Sequence, residues 1–174
     1  MRLTNNQKKL KALVTGSSKR IGATIVKNLH ASGVDIGIHY NSSKTEASDL
    51  SNELNAIRPN STSIFNADIT NTDEANSLIN NFINWAGGLD LLVNNASSFY
   101  PTPVGTITDN QWHDLMGTNL KGPLFITQAA TNALKEAKGS VINLIDIHTR
   151  SPLKNHPIYG SAKAGLKMLT LSLI

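Results

Sequence analysis

A chain of 174 residues with 40% hydrophobic and 16% charged content is long enough to bury a core of its own, which predicts one soluble globular domain. Its net charge of +4 comes mostly from scattered basic residues, which mildly favours anionic ligands and argues against nucleic acid, because nucleic acid would call for a basic stripe with interleaved aromatic residues. The absence of cysteine excludes disulfides, thiol nucleophiles and thiolate metal sites.

Membrane and metal binding are not indicated either. No apolar stretch approaches the length of about 18 residues that suggests a membrane-spanning helix, and the apolar run before Gly16 is too short for a secretory signal. Histidine, aspartate and glutamate form no cluster with metal-ligand spacing. We therefore expect an untargeted cytoplasmic protein with no membrane contact and no metal.

Short apolar runs alternate with helical periodicities along the whole chain. The predicted strands are residues 10–15, 34–39, 62–67, 89–93 and 140–145. The first predicted helix has Ile21, Ile25 and Leu29 on one face. The other helices are predicted at residues 43–56, 73–85, 111–137 and 159 to the end, and residues 70–73 are the predicted cap of the third helix.

Strict alternation of strands and helices, with right-handed crossovers, predicts an α/β fold. We expect a doubly wound parallel sheet of the Rossmann type, with strand order 3-2-1-4-5, as one domain over residues 1–174. The final apolar helical segment runs to Ile174 without a cap. This ending predicts a chain that is incomplete at its C-terminus.

The first strand ends in Thr15-Gly16-Ser17-Ser18-Lys19-Arg20-Ile21-Gly22. A glycine turn at the start of a helix offers free backbone N–H groups and the positive end of the helix dipole to a pyrophosphate. The turn residues expected to contact the cofactor are Gly16, Ser18, Lys19, Arg20, Ile21 and Gly22. The alternative is a plain tight turn.

The end of the second strand indicates which dinucleotide binds. NAD sites usually place an acid there to accept the ribose 2′-OH, whereas this chain has His39-Tyr40-Asn41-Ser42-Ser43. Arg20 and the two serine hydroxyls suit a 2′-phosphate, which favours NADPH. Ser42 or Ser43 could instead cap the next helix, and both uses could coexist.

Three further positions follow the third, fourth and fifth strands. Asp68 could bind the adenine amino group or start the next turn. The run Asn94-Asn95-Ala96-Ser97 and the acid Asp146 end neighbouring strands, so both should line the ligand crevice beyond the sheet.

Tyr159 and Lys163 are four residues apart, which places them on one face of a helix. A nearby ammonium should lower the tyrosine pKa from its usual value of about 10, making Tyr159 a proton donor near neutral pH. Lys163 can also hold the nicotinamide ribose. The alternative is an ordinary pair on a helix surface.

Together these motifs resemble the short-chain dehydrogenase/reductase family over nearly the whole chain. The matching residues are Thr15-Gly16-x-x-x-Arg20-Ile21-Gly22, Asn94-Asn95-Ala96, Asn119 and Tyr159-x-x-x-Lys163. The resemblance implies catalytic roles for Asn119, Tyr159 and Lys163, with Asp146 in the position where the family usually has serine. It also implies a homo-oligomer, a dimer or a tetramer, formed through the long helix and the Tyr159 helix.

Departures from the general family pattern resemble the pteridine reductases. They are Arg20 in place of a glycine, the His39-Tyr40 pair, the run from Asn94 to Pro103, and Asp146 in place of serine. This resemblance implies NADPH-dependent reduction of pterins or dihydrofolate, with Phe99 stacked on the pterin ring and Ser97 beside both cofactor and substrate.

The chemistry of Asp146 favours the same substrate. An ionised carboxylate would repel the alkoxide that forms on a reduced ketone, but it suits the N–H edge of a pterin. Its protonation state stays open, because burial would raise its pKa and Lys163 would lower it, and it could simply cap the following turn. His148 and His156 flank the crevice without an assigned role.

Two other functions stay possible at this point. One is a general carbonyl reductase of the 3-oxoacyl type. The other is a non-catalytic NADP-binding fragment, since the predicted C-terminal loss would remove part of the substrate wall and the remaining strands of the sheet.

Overall fold

The computed structural model describes residues 9–173. The strands are β1 (Lys11–Val14), β2 (Asp35–Tyr40), β3 (Thr62–Asn66), β4 (Leu91–Asn94) and β5 (Ser140–Asn143). The helices are α1 (Arg20–Ala31), α2 (Lys44–Ile57), α3 (Thr72–Ala86), α4 (Asp109–Met116), α5 (Gly122–Ala137) and α6 (Pro157–Ser172), with a π-helical segment (Gly117–Lys121) between α4 and α5 and a short 3₁₀ turn (Ile147–Thr149) after β5. Ile174, where the last helix was predicted to end, lies outside the described residues.

The five strands form one parallel sheet in the order β3-β2-β1-β4-β5, which confirms the predicted topology. In the centre of the sheet, Val14 of β1 pairs with Ile38 of β2 and with Val93 of β4. The carboxyl ends of these three strands therefore meet at one edge, where the ligand crevice of an open α/β sheet is found.

Helices cover both faces of the sheet. Leu13 of β1 packs with α3 and α5 in one buried cluster, whereas Ala12 and Val14 pack with α1 and α2 in another. Successive residues of a strand point to opposite faces, so the apolar residues 12–14 of β1 pack into both layers. Burial of apolar surface on both faces stabilises the doubly wound arrangement.

The predicted start of α3 is confirmed in detail. The Asn71 side chain accepts hydrogen bonds from the backbone N–H groups of Asp73 and Glu74, at 2.9 and 3.4 Å. These bonds satisfy two of the free donors at the helix start. Gly87 ends α3 in the left-handed conformation at φ +74°, as helix ends often do.

Two predictions about helices were wrong. Ile21 does not share the buried face of α1, because it stands at the start of the helix on the crevice and is 67% exposed. The buried residues of α1 are Gly22, Val26 and His30, and the predicted Ile25 and Leu29 are partly buried against the same core. The single long helix predicted for residues 111–137 is divided by the π-helical segment, which contains Asn119.

Within residues 9–173, no helix is long and apolar enough to cross a membrane. The same residues contain no group of three or more histidine, aspartate and glutamate side chains that could hold a metal ion.

Candidate active site

A cleft of about 700 Å³ opens at the carboxyl edge of the sheet. Every residue predicted to contact the cofactor lines it, except Tyr159 and Lys163. The cleft is also lined by residues that sequence reasoning missed, namely Ile69, Thr70, Ser98, His113, Asp114 and Thr118. Ile69 and Thr70 follow β3 at the same edge, so the position of strand ends could have identified them, whereas His113, Asp114 and Thr118 carry no such signal.

The glycines of the turn after β1 are required by space. Gly16 has φ +58°, and a Cβ atom there would lie 2.7 Å from the Ala96 Cα atom. A Cβ atom on Gly22 would lie 2.6 Å from both the Gly16 carbonyl oxygen and the Ser17 Cα atom. The backbone of the turn therefore packs directly against the start of α1 and the end of β4, which only glycine permits.

The residues after β4 brace this turn. The Thr15 hydroxyl oxygen accepts hydrogen bonds from the backbone N–H groups of Asn95 and Ala96, both at 3.0 Å. The Asn95 side-chain amide donates to the carbonyl oxygens of Thr15 and Gly16, both at 2.9 Å. Asn95, Ala96 and Ser97 line the cleft as predicted, whereas Asn94 and Asp146, which were predicted to line it too, do not. The Asn95 side-chain amide holds the turn.

His39 braces the turn from the other side. Its Nδ1 atom accepts a hydrogen bond from the Gly16 N–H at 2.9 Å, so its Nε2 atom carries the proton and donates to the Ala67 carbonyl at 3.1 Å. Burial lowers the pKa of His39 from 6.5 to about 4, because desolvation penalises the imidazolium. His39, which was predicted to contact the cofactor, is therefore a neutral side chain that connects the end of β2 to the ends of β1 and β3 by hydrogen bonds.

The groups predicted for a 2′-phosphate lie together at the cleft. Arg20 is exposed and has φ +53°, a left-handed conformation that costs about 1–2 kcal/mol for a residue with a Cβ atom. Ser43 stands at the N-cap of α2 but makes no side-chain capping hydrogen bond. The capping alternative for Ser43 is therefore not observed, and its hydroxyl makes no capping hydrogen bond that would compete with a phosphate.

Asp68 starts the turn after β3, which was one of the two roles predicted for it. Its Oδ1 atom accepts hydrogen bonds from the Thr70 N–H at 2.9 Å and from the Thr70 hydroxyl at 2.7 Å. Asp68 also lines the cleft. Its contact with adenine stays a prediction.

Asp146 and Tyr159 are directly hydrogen-bonded to each other. The Tyr159 hydroxyl donates to Asp146 Oδ2 at 2.6 Å, and Asp146 Oδ1 accepts from the His148 N–H at 2.9 Å. Asp146 thus caps the 3₁₀ turn and also contacts the tyrosine. The His148 N–H, followed by the Tyr159 hydroxyl and the charge of Lys163, holds the pKa of Asp146 below its usual value, so the carboxylate is ionised at neutral pH.

The predicted lowering of the Tyr159 pKa was wrong. Burial raises the pKa of Tyr159, and the Asp146 carboxylate raises it further. The Lys163 ammonium lies 5.8 Å from the centre of the tyrosine ring and donates to the Leu144 carbonyl at 2.9 Å. Because the anion is nearer to the phenol than the cation is, the proton is held on Tyr159. Burial also lowers the pKa of Lys163 itself.

Asn119 is fully buried in the π-helical segment. Its side-chain amide donates to the carbonyl oxygens of Leu115 and Ser98, at 2.9 and 3.0 Å, and its Oδ1 atom accepts from the Ser97 hydroxyl at 2.6 Å. The π-helical segment packs against α6, where a Cβ atom on Gly165 would lie 2.8 Å from Leu120. The segment therefore joins the loop after β4 to the helix that carries Tyr159.

The predicted substrate-binding side chains come together around Phe99, which is 56% exposed. The Phe99 ring lies edge-on to Tyr159, with ring centres 4.8 Å apart at 78°. It also stacks on His156, with ring centres 4.8 Å apart at 13°. His156, which had no role assigned from the sequence, is therefore a direct neighbour of the Phe99 ring.

Comparison with known proteins identifies relatives along nearly the whole chain. A family model described as short chain dehydrogenase matches residues 10–174. The chain is 34% identical to pteridine reductase 1 of Leishmania tarentolae, over 92% of this chain and 69% of the relative. It is 33% identical to a 3-oxoacyl-acyl-carrier-protein reductase of Staphylococcus aureus, over 92% of this chain and 65% of the relative.

An uncharacterised oxidoreductase of Staphylococcus epidermidis is 28% identical, over 93% of this chain and 69% of that relative. The chain thus spans about two thirds of the length of these curated relatives.

Proposed function

The chain belongs to the short-chain dehydrogenase/reductase family of oxidoreductases, and we propose that it is an NADPH-dependent reductase of pterins, dihydropterins or dihydrofolate. The observation that carries the proposal is the 2.6 Å hydrogen bond from Tyr159 to Asp146. It puts an ionised carboxylate beside the family's proton donor. The similarity to a pteridine reductase supports the same substrate class.

The cleft suits NADPH by its shape and by its donors. Gly16 and Gly22 leave the backbone of the turn open to a pyrophosphate at the start of α1. Arg20, Ser42 and Ser43 supply a guanidinium and two hydroxyls for the 2′-phosphate. When bound, NADPH supplies the hydride.

The chain's own residues hold the substrate and move its proton. The Asp146 carboxylate accepts N–H groups at the edge of a pterin, and the Phe99 ring covers its flat face. Tyr159, whose pKa is raised, keeps its proton until a group of the substrate accepts it. Lys163 holds the nicotinamide ribose. Asn119 accepts a hydrogen bond from the Ser97 hydroxyl and so keeps Ser97 at the edge of the site.

A second candidate is a carbonyl reductase of the 3-oxoacyl type. The Staphylococcus aureus relative, 33% identical, favours it almost as strongly by similarity. The carboxylate of Asp146 opposes it, because a negative charge beside the developing alkoxide would raise the barrier.

One experiment separates the two functions. Turnover is followed by the loss of NADPH absorbance with dihydrobiopterin, dihydrofolate and a 3-oxoacyl thioester, for the wild type and for Asp146→Ser. A pterin reductase should lose activity at least about 100-fold in the variant, since the edge contact and the proton-transfer geometry are lost together. A carbonyl reductase should keep or gain activity with the thioester.

Asp109→Ser is the matched control, because Asp109 is exposed at the start of α4 and should leave all three rates unchanged. Tight binding of NADPH without turnover of any substrate would refute both enzymatic functions and favour a non-catalytic nucleotide-binding role.

We also propose that the protein acts in the cytoplasm as a homo-oligomer, a dimer or a tetramer. Large apolar side chains are exposed on α4, α5 and α6, including Trp112, Leu124 and Met168 at 47%, 38% and 64%. Light scattering after size-exclusion chromatography should give a multiple of the 18.7 kDa chain mass, and a monomer mass would refute this part of the proposal.

A further inference from the structure

Side chains in the segment after β4 alternate between exposed and half-buried. Ser97 and Phe99 are exposed, whereas Ser98 and Tyr100 are half-buried. Ser97 bonds Asn119, and Phe99 contacts Tyr159. The two pairs alternate along one short stretch of backbone, so contacts that hold residues 98 and 100 also restrict the directions that residues 97 and 99 can take.

Asp114 is the group that holds the second pair. Its Oδ2 atom accepts a hydrogen bond from the Tyr100 hydroxyl at 2.8 Å, and its Oδ1 atom accepts from the Ser98 hydroxyl at 3.0 Å. The Thr118 hydroxyl, four residues further along in the π-helical segment, also donates to Oδ1, at 3.3 Å. Both oxygens of one carboxylate therefore tie the segment to α4.

The Tyr100 bond is a firm one. Burial, together with the Asp114 carboxylate, raises the pKa of Tyr100 to about 12, so the phenol stays protonated and donates throughout the physiological range. The Tyr100 ring packs against the small cluster of Leu115, Ile158 and Tyr159. One side chain thus connects the Asp114 carboxylate to the helix that carries the proton donor.

We propose that Asp114 is a positioning residue for the substrate site. It holds Ser98 and Tyr100 and thereby sets the orientation of Phe99 and Ser97 toward a flat substrate. This inference rests on the proposed function for the identity of the substrate. The orientation of Phe99 can be measured independently of any substrate.

The test combines a spectroscopic and a kinetic measurement. The protein is labelled with 4-fluorophenylalanine, and the Phe99 signal among the four phenylalanines is assigned with Phe99→Leu. We expect Asp114→Ala and Tyr100→Phe each to shift or broaden the Phe99 ¹⁹F signal. Because Tyr100→Phe adds a fifth labelled ring, the Phe99 signal in that variant is assigned again with the double variant that also carries Phe99→Leu. Asp109→Ala, which removes an exposed carboxylate from the same helix, should leave the signal in place.

The kinetic measurement uses NADPH and dihydrobiopterin. Misplacing a positioning group typically costs one to two orders of magnitude, so the KM of Asp114→Ala should rise about tenfold, with a smaller change in kcat. Asp114→Asn, which keeps one acceptor oxygen, should recover part of the loss. Tyr100→Phe should add little further loss in the double variant, because both changes break the same connection.

An unchanged Phe99 signal in folded Asp114→Ala, or in Tyr100→Phe if the first variant does not fold, would overturn the inference. A lowered melting temperature with an unchanged Phe99 signal and KM would assign Asp114 a purely structural role and overturn it equally. A shifted signal in a protein that does not reduce pterins would refute the proposed function and leave the positioning role supported.

Discussion

Acid should destabilise the fold through His39, the buried histidine that links the glycine turn to the ends of β2 and β3. Its Nδ1 atom accepts the Gly16 N–H, and a proton on Nδ1 would turn that acceptor into a second donor facing the first. The unfolded chain takes up this proton at about pH 6.5, whereas the folded chain does so only at about pH 4. The unfolded state therefore binds more protons between these values, and the free energy of unfolding falls as the pH falls through them.

The size of the effect follows from the separation of the two pKa values. The shift from 6.5 to about 4 spans about 2.5 pH units, and each unit corresponds to about 1.4 kcal/mol. The expected loss is about 3 kcal/mol, which is a large part of the stability of a domain of this size. Below the folded-state pKa both states are protonated, so His39 should cause no further loss of unfolding free energy.

Urea denaturation across this pH range measures the loss, with His39→Gln as the control. Glutamine offers an acceptor and a donor but does not titrate, so the variant should lack this component of the pH dependence. His30, whose pKa is also lowered by burial, is present in both proteins and cancels in the comparison. Parallel curves of unfolding free energy against pH for the two proteins would refute the assignment of a neutral, bridging imidazole.

Three further predictions concern the cofactor turn and the proton donor. Gly22→Ala should weaken NADPH binding about tenfold, because the added methyl group would lie 2.6 Å from the turn backbone and overpacking costs about 1–3 kcal/mol. Fluorescence titration measures the affinity. The control is Gly160→Ala, which has open space around it and should bind NADPH normally. Arg20→Gly should raise the free energy of unfolding by about 1 kcal/mol through release of its left-handed strain while reducing the preference for NADPH over NADH about tenfold; equal affinity ratios in variant and wild type would contradict the role of the guanidinium. Lys163→Met should lower kcat about 100-fold or more, and unimpaired turnover in this variant would remove Lys163 from the mechanism.

The sheet was predictable because its signals are local. Each strand is a short apolar run and each helix has its own periodicity and cap, such as Asn71, so the alternation of elements determines a parallel sheet without any knowledge of distant contacts. The crevice followed from the same reasoning, since Gly16 and Asn95 come directly after neighbouring strands.

The features that sequence reasoning missed depend on contacts between distant residues. The π-helical segment coincides with the bond from the Asn119 side chain to the Leu115 carbonyl and with the close approach of Gly165, neither of which leaves a periodic pattern. The direction of the Tyr159 pKa shift depends on whether the nearer charge is Asp146 or Lys163, which spacing along the chain does not reveal. Asp114 has no sequence signal at all, because its role comes from two hydroxyls of another segment.

The bracing of the glycine turn has a consequence for how the cofactor binds. Thr15, Asn95 and His39 hold the turn in place with hydrogen bonds of 2.9 to 3.0 Å, so its backbone loses little conformational freedom when a dinucleotide arrives. Binding energy is then available for affinity rather than for ordering the loop. Since the braces join the ends of β1, β2 and β4, a bound cofactor would also oppose separation of the central strands, and saturating NADPH should stabilise the whole sheet.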